Sequence, residues 1–98
     1  MAAFDEAAYQ RGLLQLRERF LNELPQRLAA LRQTQTADAM RAELHRLAGA
    51  AGSLGFAELS QTARELEQQS LDHADGAISL ARLDACASKI RALPNQPV

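Results

Sequence analysis

Apolar residues recur along this chain at spacings of three and four, in four separate stretches, and in no stretch do they alternate. A stripe that repeats at about 100° per residue is buried only by winding the chain into a helix and pressing it on a neighbour. Tyr9, Leu13, Leu16, Phe20, Leu24, Leu28 and Leu31 form the first stripe; Met40, Leu44, Leu47, Ala51 and Leu54 form the second. Phe56, Leu59, Ala63 and Leu66 form the third, and Leu80, Leu83, Cys86, Ala87, Ile90 and Leu93 the fourth. Most of the apolar content is alanine and leucine, with few aromatic or β-branched side chains, which favours helix over strand.

Local signals place the helix ends. Asp5 is a suitable N-cap for the first helix, and Thr36 for the second, with Thr34 and Asp38 as alternatives. The polar run from Gln33 to Thr36 interrupts the periodicity and reads as a connection. The second helix should then cover about residues 37–53, and Gly55 allows a tight reversal after it. The third is expected from Phe56 or Ala57 to Leu71, followed by a short loop over residues 72–76 with Asp75 as a cap. The fourth should end before Pro94, leaving residues 95–98 as a frayed tail. Pro25 removes one backbone hydrogen bond and is expected to kink the first helix near residues 21–24. Gly12 is a second weak point, so residues 5–16 read either as a short extra N-terminal helix or as the start of one bent helix.

Short connections make sequential helices antiparallel neighbours, so the expected fold is all-α, an antiparallel up-and-down four-helix bundle. Its 98 residues suit one domain with its core over about residues 5–93 and a tail over 94–98. A formal net charge of −1 gives no reason to expect nucleic acid or an anionic membrane as partner. No apolar run approaches the roughly 18 residues of a membrane span, and no signal-peptide pattern opens the chain. Cys86 is the sole cysteine, which excludes an internal disulfide framework and makes the cytoplasm the expected compartment. No phosphate loop, catalytic triad or metal-ligand spacing is present; His73 sits among turn residues, and Glu58, Glu65 and Glu67 read as surface charges.

One histidine stands out. His45 lies about a quarter-turn from the second stripe, on its solvent flank, with Arg41, Ala48, Gly49 and Gly52 on the same face. An interior helical glycine costs roughly 0.8–1 kcal/mol relative to alanine, so two of them beside one imidazole break a local rule. The patch reads as cleared for a partner protein, with Ala48, Gly49, Gly52 and Phe56 as its centre. A neutral imidazole is a nucleophile near neutral pH. Attack on a phosphoryl group asks for in-line positioning and charge neutralisation, and Arg41, one turn before His45, is placed to steady phosphate oxygens.

The run His45-Arg-Leu-Ala-Gly-Ala-Ala-Gly-Ser-Leu-Gly55 resembles the signature of histidine-containing phosphotransfer (HPt) domains, roughly His-x-Leu-Lys-Gly, small residues, then Leu/Ile-Gly. His45, Leu47, Gly49, Leu54 and Gly55 match it in place. Phe20 to Pro25 with Leu28 and Leu31 upstream, and Phe56, Leu59, Leu66 and Glu67 downstream, are similar to the flanking helices of that family. The resemblance implies a phosphohistidine carrier without kinase activity of its own. His45 would exchange a phosphoryl group with the aspartate of a receiver domain, in a response regulator or a hybrid sensor kinase. It also implies that the receiver, not this chain, supplies Mg²⁺. Ala48 stands where the family has lysine. Either Arg41 replaces that lysine, or the domain is a regulatory module that docks a receiver or other signalling protein without phosphorylation.

Overall fold

The computed structural model describes residues 5–72 and 80–92. Four helices account for nearly all of them: α1 (Glu6–Gln33), α2 (Ala37–Ser53), α3 (Ala57–Asp72) and α4 (Ala81–Ala92). The expected caps form. The Asp5 carboxylate accepts from the amide of Ala8 at 3.1 Å, and the Thr36 hydroxyl accepts from that of Ala39, also at 3.1 Å. Residues 73–76, with His73 and Asp75, lie outside the described residues, as do Leu93, Pro94 and the tail.

The helices form a closed ring in which α1 touches α2 and α4, and α3 touches the same two. Ion pairs mark the antiparallel register. Glu65 and Glu58 of α3 meet Arg82 and Lys89 of α4, and Arg32 of α1 meets Asp84 of α4. The Arg82 side chain, hydrogen-bonded to Glu65, holds that carboxyl below its usual range. Inside the ring, Leu24, Leu31, Leu44, Leu47, Leu59, Leu66 and Leu83 are fully buried. Phe20 and Phe56 stack with ring centroids 5.4 Å apart; the Arg27 guanidinium lies over the Phe20 ring and that of Arg17 over the Phe56 ring.

α1 takes the single-helix alternative, and one expectation about it needs correction. It is one helix running unbroken through Gly12 and Pro25, so there is no separate N-terminal helix. Strong helix formers on both sides of Gly12 outweigh its cost of about 1 kcal/mol. Burial of Leu24 and Leu28 holds the backbone helical across Pro25. The stripe itself is buried only from Phe20 onward; Tyr9 and Leu16 are more than half exposed. At about 1.5 Å per residue, the 28 residues of α1 outrun the 17 of α2, so its first half has less helix to pack on.

The α2–α3 turn positions the rest. Gly55 adopts φ of +86°, the left-handed region that glycine enters without strain. Its amide donates to the carbonyl of Gly52 at 3.2 Å, and the amide of Phe56 donates to that of Ala51 at 2.8 Å. This is a Schellman reversal, which satisfies the last carbonyls of α2 and sends α3 back along it.

Truncating the aromatic stack in Phe56→Ala should cost about 3 kcal/mol in urea unfolding; a loss below about 1 kcal/mol would show that the stack adds little. Burial pushes the Cys86 thiol above its ordinary range. Alkylation of Cys86 near pH 8 should therefore be slow in the native domain and fast in urea, and equal rates would contradict its place in the core.

Candidate functional site

His45 emerges from the middle of α2 with its side chain 77% exposed. Its Nδ1 lies 3.1 Å from Oε2 and 3.4 Å from Oε1 of Glu67 on α3. A carboxylate only accepts, so Nδ1 carries the proton and donates it to Glu67. That leaves Nε2 as the nitrogen with the free lone pair, and Nε2 has no hydrogen bond among the described residues. The pairing selects the tautomer and fixes the plane of the ring.

The imidazole stands over a shallow groove of about 540 Å³ between α2 and α3. Ala48 and Gly49 contribute from α2, and Arg64, Glu67, Gln68 and Leu71 from α3. Leu71 is 59% exposed and puts an apolar contact on the rim. Among the described residues no group of three or more His, Cys, Asp or Glu side chains is arranged to hold a metal ion. No helix there is long and apolar enough to cross a membrane.

Of the residues singled out in the sequence, His45, Gly49 and Gly52 are exposed, and a methyl group built on Gly49 would meet nothing within 4 Å. The others sit differently. Ala48 is only 2% exposed, because α2 is covered on two sides, by α1 and by α3, and the buried arc widens past the leucine stripe. It lies at the groove floor. Gly52, though exposed, also borders the helix contact, where a methyl group would lie 3.1 Å from Ser60 Oγ. That hydroxyl donates to the carbonyl of Ala48 at 2.8 Å and draws the two backbones together. Phe56 is buried at 8% exposure, in the stack with Phe20, and so is not on the surface at all. Arg41 is tied to the Asp38 carboxylate and donates to the carbonyl of Ser70 at 3.4 Å, and it does not line the groove.

Glu67 was read as a surface charge and is instead the partner of His45. A signal for it exists in the chain. Antiparallel helices that leave one tight reversal pair residues at equal distances on either side of it. His45 is eleven residues before Phe56 and Glu67 eleven after; Gly52 and Ser60 are each four away.

A family model described as the Hpt domain matches residues 15–93. Comparison with curated proteins and with solved structures gave no match. The matched segment takes in all of α2, α3 and α4 and most of α1. With an exposed, carboxylate-paired histidine in the middle of that segment, the chain belongs to the Hpt domain family, the histidine-containing phosphotransfer domains of two-component signalling.

Proposed function

We propose that the domain carries a phosphoryl group on Nε2 of His45, exchanging it with the aspartate of a receiver domain in a response regulator or hybrid sensor kinase. The observation that carries this reading is the Nδ1–Glu67 contact of 3.1 Å on an exposed ring whose Nε2 has no hydrogen bond among the described residues. In the forward step the Nε2 lone pair attacks phosphorus of the receiver's aspartyl phosphate. The N–P bond forms as the P–O bond to the carboxyl breaks, and the aspartate leaves with the electron pair as a carboxylate. The ring then bears a positive charge with the proton still on Nδ1. The Glu67 carboxylate, accepting that proton's hydrogen bond, stabilises the charge as it develops. The reverse step returns the phosphoryl group to an aspartate and restores the neutral ring.

A flat helix surface suits this division of labour. Phosphoryl transfer asks mainly for in-line positioning and charge neutralisation. The open patch at Gly49 and the apolar rim at Leu71 give a partner's active-site mouth room to reach the imidazole. With a partner docked, Mg²⁺ in the partner's acidic pocket would supply charge neutralisation beyond what this chain offers. The binding-only alternative draws on Ala48 in place of lysine, and it parts from the carrier reading at the labelling step.

Incubation with a phosphorylated receiver and Mg²⁺ should put acid-labile, base-stable label on the wild-type domain and none on His45→Gln. Label persisting in His45→Gln, or a wild type that binds receivers but never takes label, would rule the carrier out. Glu67→Ala should still accept phosphate but transfer at least about 10-fold more slowly; an unchanged rate would deny Glu67 its positioning role. Gly49→Ala should raise stability by about 1 kcal/mol, since the added methyl meets nothing. Gly49→Glu should lower transfer by more than it lowers stability, and matched losses would mean that Gly49 serves packing.

A further inference from the structure

Ala48 places no cation beside His45, where the resemblance implies a lysine, and Arg41, the cation expected to replace it, is occupied elsewhere. Arg41 spends its guanidinium on Asp38 and on the carbonyl of Ser70, and Arg46 is paired with Glu43. Arg64 of α3 is different. It is exposed, lines the same groove as His45, and has no hydrogen bond or ion pair among the described residues. Its Nη2 lies 3.8 Å from where a methyl group on Gly52 would sit, so the guanidinium reaches across to α2. By the same reversal arithmetic that sets Glu67 against His45, Arg64 and Ala48 lie eight residues on either side of Phe56. Position 48 is three residues from His45, about 4.5 Å along the helix axis.

We infer that Arg64, not Arg41, is the cation that holds the phosphoryl group on His45, filling from α3 the place that Ala48 leaves empty on α2. The inference rests on His45 as the acceptor. A guanidinium is suited to this by its fixed fork of donors, which can engage two phosphoryl oxygens at once. The absence of a side chain at Gly52 leaves the fork room to lie against α2. Arg64 is a positioning residue for the bound phosphoryl group and takes no proton in the step.

The test uses a chemical donor, so that it does not depend on a receiver. Phosphoramidate transfers its phosphoryl group to histidine as its own P–N bond breaks and ammonia leaves. The phosphorylated wild type, Arg64→Gln, Arg64→Lys and Arg41→Gln domains are then titrated by phosphorus NMR. Loss of an adjacent guanidinium should raise the pH midpoint of the phosphoryl resonance by about half a unit in Arg64→Gln. Arg64→Lys should stay within a few tenths of wild type, because a point charge is retained, and Arg41→Gln should match wild type. Transfer from a phosphorylated receiver should fall about fivefold in Arg64→Gln, an effect sized for an exposed charge contact. A purely structural role for Arg64 would leave the phosphorus titration unmoved. An unchanged midpoint in Arg64→Gln, or a shift in Arg41→Gln instead, overturns the inference. Should the midpoint shift as expected while receivers neither give nor take the group, the carrier reading fails and the role of Arg64 stands. Failure of His45 to take the chemical label overturns both.

Discussion

The close approach of α2 and α3 is the constraint on which the site depends. Three local features produce it: the left-handed Gly55 that reverses the chain, the missing side chain at Gly52, and the Ser60 hydroxyl bonded to the Ala48 carbonyl. Each is small, but together they fix distance and register between two helices that share no covalent link nearer than the turn. With that register set, Glu67 falls against His45, and Arg64 lines the same groove with its guanidinium near Gly52. A shift of one residue would carry these side chains about 100° around α3 and dismantle the groove.

The two glycines of α2 beside His45 look alike in sequence and do different things. Gly52 has a packing reason to be glycine, since a methyl group there would crowd Ser60 Oγ of α3 at 3.1 Å. Gly49 has none; it faces open solvent, and alanine would fit there at no steric cost. Glycine at this open position, next to the exposed His45, forgoes about 1 kcal/mol that alanine would supply, and no packing contact explains it. That contrast separates the part of the small-residue cluster that borders α3 from the part open to solvent, and the sequence read alone merges them.

Most of the architecture was legible because it depends on periodicity and caps. The four stripes, the Asp5 and Thr36 caps and the reversal at Gly55 all use local chemistry, and α2 begins and ends at the residues its pattern implies. The misreadings come from neighbours that a single-helix wheel cannot show. Ala48 lies off the leucine stripe yet is buried, because α2 is covered from two directions. Phe56 follows the reversal and was placed with the exposed patch, but the ring finds Phe20 across the core. The first stripe continues to Tyr9 in sequence, yet full burial begins at Phe20. Glu67 looks like an ordinary helix-surface carboxylate on its own helix, and only the hairpin register sets it against His45.

Chemistry at this site thus reduces to one imidazole whose two nitrogens are made unequal by a carboxylate on the next helix. The most direct test is a phosphorus–nitrogen correlation spectrum of the domain after phosphorylation by a receiver, with the histidine rings ¹⁵N-labelled. The account predicts a single phosphoryl group, bonded to Nε2 of His45, with the proton retained on Nδ1. Coupling to Nδ1, or phosphate on any residue other than His45, would contradict it.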